Sequence, residues 1–163
     1  MSGIRTRTRK RLVRLRRRQR TELVGAPHER RLYVFRNDAC LRIGGVGRRH
    51  AEITARTSLI ATSSHLKGEP KRYGRGKLWD EDLWVLQSPL GEAASYEEHL
   101  NWLWEAIGPH KAYFDELIST ASWADVCLGC LSESYFPVLT VRASSMSIVK
   151  ELNVDLAFNF TCG

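Results

Sequence analysis

The positive charge of this chain is concentrated at its amino-terminal end. Residues 1–31 contain twelve Arg and Lys side chains and two acids, a net charge of +10. Residues 32–163 contain thirteen basic and sixteen acidic side chains, a net charge of −3. Like charges packed as densely as those of the first segment repel one another and oppose compaction. The sequence therefore predicts a basic arm over residues 1–30, disordered when free, and a single folded domain over residues 31–163.

The composition is that of a folded domain. Hydrophobic residues make up 43% of the 163 positions and aromatic residues 9%, which is enough to build one core. The sequence has no run of 18 apolar residues and no apolar stretch of a secretory signal after the Arg-rich start. We therefore expect a cytoplasmic protein without membrane association. Its four cysteines are expected to be reduced thiols; they are Cys40, Cys127, Cys130 and Cys162.

Strand and helix patterns are mixed along the body. Extended patterns occur at 32–35, 39–43, 59–62, 83–88, 126–131, 138–141 and 154–160, with a turn expected at Asn37-Asp38. A short helix is predicted within 48–58, another over 113–118, and a last one that is capped by Ser144 or Ser145 and ended by Asn153. The order of elements predicts an α+β fold, a mostly antiparallel sheet with helices packed on one face. A ferredoxin-like or split βαβ arrangement is the leading expectation.

The clearest helix begins after Ser95. Ser95 and Glu98 have the spacing of a capping box, and Gly108-Pro109 ends the pattern. Its apolar stripe consists of Leu100, Leu103, Trp104 and Ile107. The spacing therefore predicts Trp104 in the core, whereas Trp102 lies on a different face of the helix.

Several short motifs occur in an order that is similar to a known family pattern. They are Ile53-Thr54, Thr62, Lys67-Gly68-Glu69, Trp84 with Ser88, Glu98-His99-Leu100, Ser132-Glu133-Ser134 and the final run from Leu152 to Leu156. Together they cover most of residues 32–161 and resemble the bacterial family of domains of unknown function 4279 (DUF4279). Ala61 stands where that pattern often has a proline, and the basic arm has no counterpart in it. The resemblance implies a small α+β domain and no particular reaction.

One cysteine pair has the spacing of a reactive motif. Cys127 and Cys130 form a CxxC, which can donate two thiolates to zinc or cycle between thiol and disulfide. A second such pair is absent from the sequence, and this one lies in a strand-like run, where residues three apart face opposite sides of the sheet. The pattern therefore favours two packed thiols, and we predict no metal and no cofactor.

No arrangement of residues indicates catalysis. The histidines are His28, His50, His65, His99 and His110, and no nucleophile motif accompanies them. His99 is expected at the border of the buried helix stripe. The glycine-rich runs 44–47 and 74–77 lack the spacing of a phosphate-binding loop. The sequence thus predicts a protein that is not an enzyme, with no catalytic, cofactor-binding or metal-binding residue.

A second basic cluster lies in the loop over 67–77. It consists of Lys67, Lys71, Arg72, Arg75 and Lys77 with Tyr73 among them. Such a mixture of cations and one aromatic ring can hold a phosphate backbone or a base. It can equally be a solvated loop that faces the acidic run Asp80-Glu81-Asp82, and charge patterning favours the solvated loop.

Two functions from different classes fit these observations, and an enzyme with an unrecognised site is a third alternative. The first is a non-catalytic module that binds an unidentified protein partner, in a defence or toxin-neutralising setting. The second is nucleic-acid binding through the arm, with possible contacts at Arg5, Arg7, Arg9, Lys10, Arg11, Arg14, Arg16, Arg17, Arg18 and Arg20. Met1 is the only methionine before Met146, so a true start near Leu23 or Val24 would remove the arm altogether.

Overall fold

A computed structural model describes residues 35–72, 76–132 and 139–162 of the chain. The strands of these ranges are β1 (Phe35–Gly44), β2 (Ser63–His65), β3 (Leu83–Gln87), β4 (Trp123–Ser132) and β5 (Asp155–Cys162). The α-helices are α1 (His50–Thr57), α2 (Tyr96–Ile107), α3 (Lys111–Ser119) and α4 (Ser147–Leu152). Two 3₁₀ turns, Gly108–His110 and Ala143–Ser145, precede α3 and α4.

The strands form one open sheet in the order β2-β3-β1-β4-β5. The β1–β3, β1–β4 and β2–β3 pairs are antiparallel, and only β4 and β5 run parallel. Parallel neighbours need a crossover connection, and α4 lies within it. The predicted α+β class with a mostly antiparallel sheet is confirmed. The narrower ferredoxin-like arrangement is not confirmed by this strand order.

The central strand β1 runs without a break through the predicted turn at Asn37-Asp38. It pairs along its whole length with β4, and Asp38 lies opposite Gly129. A Cβ atom at Gly129 would overlap the Asp38 carboxylate, so the missing side chain gives that carboxylate its place on the sheet. Pairing with β4, together with the hydrogen bond from the Asn37 N–H to the Glu92 carbonyl at 2.8 Å, overrides the turn preference of the Asn-Asp dipeptide, because strand formation depends on cross-strand neighbours more than on local preference.

The core lies between one face of the sheet and the helices. Ala39, Leu41 and Ile43 alternate along β1 with more exposed residues and are fully buried. Trp84 and Phe114 are the largest fully buried side chains among the described residues, and their ring centroids lie 5.8 Å apart. The same buried cluster includes Leu128 of β4 and apolar residues from all four helices.

Helix α2 confirms its predicted cap and corrects its predicted stripe. The Ser95 hydroxyl accepts from the Glu98 N–H, and the Glu98 carboxylate accepts from the Ser95 N–H at 2.7 Å. The buried positions are Tyr96, His99, Leu100, Leu103 and Ile107. Trp104 is only half-buried at the edge of the core, so the prediction that it fills the core was wrong. The buried stripe is centred on Leu100 and Leu103, which brings His99 fully inside and turns Trp104 outward.

Other element boundaries differ from the predicted ones. Residues 59–62 lie outside any strand, and the short β2 follows them. Residues 139–141 are also outside any strand, and the adjoining predicted position 138 lies outside the described residues. Helix α4 has Met146 as its N-cap in place of Ser144 or Ser145, and Asn153 ends it in the left-handed conformation with φ 51°. Within the described ranges, none of the helices has the length and apolarity needed to cross a bilayer.

Candidate functional site

Within the described residues, one face of the sheet carries none of the core cluster. We call it the open face, and it consists of the β1 side chains 36, 38, 40 and 42 with their cross-strand neighbours on the other strands. The described helices bury their apolar side chains in the cluster on the opposite face. Strand alternation therefore sends each β1 side chain either into the core or onto this open face. The open face therefore presents side chains whose positions are set by the strand backbone.

A bidentate ion pair fixes the middle of the open face. The Arg42 Nε atom donates to Asp125 Oδ1 at 2.7 Å, and Nη2 donates to Asp125 Oδ2 at 2.6 Å. The two side chains are 33% and 13% exposed. The hydrogen bond to the Asp125 carboxylate raises the pKa of Arg42 further above its usual range. A guanidinium held by two parallel bonds has a defined orientation, in contrast to a free surface arginine.

Trp123 lies on this face at the Gly44 end of β1 and is 37% exposed. Its indole covers Gly44, where a Cβ atom would overlap the ring. The indole Nε1 donates to Glu81 Oε1 at 2.8 Å, and the Arg42 guanidinium carbon lies 5.7 Å from the ring centroid. The fold thus presents a partly exposed tryptophan and a fixed arginine side by side.

Two thiols occupy the next row of the open face. Cys40 pairs directly with Cys127 across β1 and β4. Burial, followed by the neighbouring Cys127, raises the pKa of Cys40 to about 12, and burial also raises the pKa of Cys127. Raised pKa values keep both thiols protonated and unreactive at neutral pH. Cys130 faces the core instead, so the prediction that the CxxC cysteines lie on opposite sides of the sheet is confirmed.

A shallow cleft of about 230 Å³ lies at the other end of β1. Arg36, Asp38, Glu92, Asn159 and Thr161 supply its polar lining. The Arg36 Nε atom and the Glu92 carboxylate oxygen are 3.5 Å apart, and both side chains are exposed. The volume is below the range of about 300–1,000 Å³ that is usual for small-molecule sites. The cleft has room for about one large side chain.

A hydroxyl and an imidazole meet on the other side of the sheet. His99 Nδ1 and Ser88 Oγ are 3.0 Å apart, the separation of a nucleophile and its base. His99 is fully buried and Ser88 is 4% exposed, and burial lowers the pKa of the imidazole. Their hydrogen bond ties the end of β3 to α2, and neither group is exposed to a substrate.

Two of the other histidines also make contacts within the fold. His50 Nε2 lies 2.8 Å from the Leu83 carbonyl oxygen, and the His65 ring stacks on Trp79 with centroids 3.6 Å apart. His110 closes the 3₁₀ turn before α3, and His28 lies outside the described residues. Over the described ranges, no group of three or more His, Cys, Asp and Glu side chains is arranged to hold a metal ion.

The basic loop over 67–77 contacts the acidic run beside it. Lys71 Nζ lies 3.5 Å from an Asp80 carboxylate oxygen and 4.8 Å from the Trp79 ring centroid. The Lys67 N–H donates to Asp82 Oδ1 at 2.6 Å. These contacts support the interpretation of a solvated loop facing acids for its described residues. Tyr73 and Arg75 lie outside them, as do all ten possible nucleic-acid contacts from Arg5 to Arg20.

The sequence did not single out the Arg42–Asp125 pair or the exposed side of Trp123. The spacing of Trp123, Asp125 and Cys127 along one strand is compatible with a shared face. The partner residue Arg42 is more than eighty positions away, and only the register of β1 against β4 brings it to Asp125. Alternation along one strand can therefore predict which of its side chains share a face. Identifying their partner on a distant strand requires the register of the two strands.

A comparison with known protein families gave a match over most of the chain. The family model described as "Domain of unknown function (DUF4279)" matches residues 35–163. This match confirms the resemblance found in the sequence and begins at the first residue of β1. Searches of curated proteins and of solved structures gave no match.

Proposed function

The chain belongs to the DUF4279 family, and we propose that it is a non-catalytic module that binds another protein through the open face of its sheet. The observation that carries this proposal is the pair formed by Trp123, 37% exposed, and the fixed guanidinium of Arg42. Tryptophan and arginine are the residues most enriched among those that dominate the energy of protein interfaces.

The composition of the strands supports a protein partner. None of the five strands contains a lysine, whereas Arg36 and Arg42 both lie on the open face. Protein interfaces favour arginine and aromatic residues and are depleted in lysine. The strand backbone and the Asp125 carboxylate already order Arg42, so a partner would not have to immobilise it at full entropic cost.

The partner that fits this surface is a protein with exposed basic groups. Residues 32–163 carry a net charge of −3, and the carboxylates of Asp38 and Asp155 are exposed on the open face. The cleft at the other end would accept one side chain of such a partner. We extend the proposal to a defence or toxin-neutralising setting, in which the module would bind and block its partner; the small acidic body supports this extension.

The test is affinity capture from native lysate with the full chain as bait, with and without nuclease. We expect Trp123→Ala, and Arg42→Lys, which keeps the charge but loses the bidentate geometry, to weaken capture about 30-fold, the size of a typical hot-spot loss. Ile60→Ala is the matched control, because Ile60 is 75% exposed and lies outside the open face. Capture that both open-face variants retain would contradict the proposal.

Nucleic-acid binding is the second candidate, and one observation favours it. Ten Arg and Lys residues without an acid in the first twenty positions would neutralise phosphates irrespective of sequence. In the same capture experiment this function predicts material that disappears on nuclease treatment. It also predicts no effect of Trp123→Ala, so the two candidates give opposite outcomes.

A further inference from the structure

Strand β5 leaves a long edge of the sheet unpaired within the described residues. It is the outermost strand beyond β4 and spans Asp155–Cys162. Natural proteins protect such edges with Lys, Pro, a bulge or a very short strand. β5 has eight residues, no Lys, Arg, Pro or Gly, and one charged side chain, Asp155 at its start. The opposite edge is β2, which has only three residues.

Two phenylalanines are exposed on this edge strand. Phe158 is 48% exposed and Phe160 is 52% exposed, and their rings stack with centroids 5.9 Å apart. The parallel register places them beside Leu128 and Cys130, both buried on the core face. The apolar face of the sheet therefore extends to β5, where these two rings remain accessible to water.

The hydrogen bonds at the ends of the β1–β3 pair show which backbone groups point outward. The Ser88 N–H donates to the Ala39 carbonyl at 2.9 Å, and the Gly45 N–H donates to the Asp82 carbonyl at 2.8 Å. Odd-numbered residues of β1 thus direct their N–H and C=O groups toward β3, and even-numbered residues direct theirs toward β4. The antiparallel register of β1 and β4 means that odd-numbered residues of β4 direct their N–H and C=O groups toward β1. Even-numbered residues of β4 direct theirs toward β5.

The same alternation continues into β5. Leu128 lies opposite Phe158 and directs its backbone N–H and C=O groups toward β5. In a parallel pair these groups form hydrogen bonds with the two residues that flank Phe158, which are Ala157 and Asn159. Phe158 and Phe160 therefore present their N–H and C=O groups at the free edge. The two residues with exposed aromatic rings are also residues whose backbone groups have no strand partner in the described structure.

We propose that two copies of this chain associate by antiparallel pairing of their β5 strands, centred on Asn159. In this register Phe158 lies opposite the partner's Phe160, and alternate pairs exchange two N–H···O=C bonds. The four rings then form one apolar cluster on the core side of the joined sheet. Each Asp155 lies at the far end of its strand, so the only charges of the two strands are kept apart.

The dimer goes beyond the proposed binding function and leaves Arg42 and Trp123 of the open face free, because both lie on strands inside the sheet. The two-fold axis of an antiparallel strand pair centred in this way runs perpendicular to the sheet, so both open faces lie on the same side. A strand-to-strand contact is small compared with the interface of an obligate dimer. We therefore expect an equilibrium that depends on protein concentration.

The first test is sedimentation equilibrium of the full chain. We expect a mass approaching twice the 18.6 kDa of one chain at high concentration. Phe158→Lys combined with Phe160→Lys should remain monomeric with an unchanged melting temperature, whereas Ile60→Lys, an exposed control, should dimerise as the natural chain does. A monomeric natural chain, or dimerisation that survives the double substitution, would overturn the proposal.

The second test examines the register and does not require the lysine variant to fold. At the two-fold axis, Asn159 and the partner's Asn159 form a non-hydrogen-bonded pair with Cα atoms about 4.5 Å apart, within the reach of a disulfide. Asn159→Cys should therefore give a covalent dimer on mild oxidation. Thr161→Cys is the matched control on the same strand face, because its two copies would be about 13 Å apart. Equal cross-linking of the two variants would reject this register.

Discussion

At the scale of single residues, Asp82 shows how one carboxylate closes two loops. Its Oδ2 atom accepts from the Arg48 N–H at 2.8 Å, and Oδ1 accepts from the Lys67 N–H at 2.6 Å. The first donor lies before α1, and the second lies after β2. Arg48 has φ 64°, a left-handed conformation that a non-glycine residue adopts at some cost. The hydrogen bonds from Lys67 and Arg48 hold the pKa of Asp82 below its usual range.

We predict that Asp82→Asn destabilises the fold at neutral pH by about 1.5 kcal/mol, the low end for hydrogen bonds to charged groups, because the neutral amide has only one oxygen with which to replace the two accepting carboxylate oxygens. A depressed folded-state pKa contributes stability that is present above the unfolded value. That stability is lost as the pH falls through the folded pKa. The difference in free energy of unfolding between the natural chain and the variant should therefore shrink below about pH 4, where aspartate begins to protonate in the unfolded chain.

Urea unfolding at neutral and acidic pH measures this difference. Asp80→Asn is the control, because the Asp80 side chain is 94% exposed and pairs only loosely with Lys71 at 3.5 Å. We expect the control to remain within about 0.5 kcal/mol of the natural chain at each pH. A loss at Asp82→Asn that stays constant from neutral pH down to pH 3 would show that the effect does not come from the carboxylate charge.

At the scale of elements, the packing of helix α2 on the sheet places two tryptophans at different depths in the core. Trp84 of β3 is fully buried beneath the helices, whereas Trp104 of α2 is half-buried at the rim of the core. We predict that Trp84→Ala lowers the free energy of unfolding by about 3–5 kcal/mol, as large aromatic truncations in cores do. Trp104→Ala should cost about 1–2 kcal/mol, because the side chain is only partly buried and packs against the rim of the core.

Equilibrium unfolding in denaturant compares the two variants directly. Asn101→Ala on the exposed side of α2 is the control for removing a side chain from this helix. A loss at Trp104→Ala as large as that at Trp84→Ala would show that the stripe read from the sequence, with Trp104 in the core, is the correct one after all.

The sequence predicted those elements of the fold that depend on local signals. The capping box of α2 needs only Ser95 and Glu98, and the end of α4 needs only the left-handed preference of Asn153. The family resemblance had the same local basis, since it rested on short motifs in order. Each of these features is encoded within a few residues, so it was visible without knowledge of the fold.

Features that depend on distant partners could not be predicted in this way. Asn37-Asp38 has the composition of a turn, and only its pairing with Cys130 and Gly129 makes it part of a strand. Trp104 has helical spacing that fits the stripe as well as His99 does, and only the packing of α2 on the sheet decides between them. The open face likewise depends on the register of β1 against β4.

At the scale of the whole molecule, the sheet is asymmetric in two respects. One face is covered by the helices and the other presents Arg42 and Trp123. One edge ends in the three residues of β2 and the other in the eight residues of β5. The Arg42–Trp123 region, suited to another protein, and the β5 edge, suited to a second copy, are therefore separate surfaces. This separation allows Trp123→Ala and the β5 substitutions to be tested independently of each other.

The charge division of the chain leads to the last prediction, which concerns residues 1–30. The family match begins at residue 35, so the basic segment lies outside the matched region. We predict that deleting residues 1–30 leaves the melting temperature unchanged. We also predict that the deletion abolishes binding to duplex DNA, because residues 32–163 have a net charge of −3. For the full chain, the logarithm of affinity should fall with the logarithm of salt at about −0.9 per phosphate contacted.

A lower melting temperature of the deleted chain would show that the basic segment stabilises the domain. DNA binding in vitro does not by itself establish a function, since any segment with ten Arg and Lys residues in twenty positions binds phosphates. Mass spectrometry of the amino-terminal peptide from native cells decides whether the segment is present there. A peptide that begins at Met1 or Ser2 would give the salt-dependent binding a biological counterpart. A peptide that begins between Glu22 and Arg30 would lack all ten of those basic residues and leave the sheet surfaces as the candidates for partner binding.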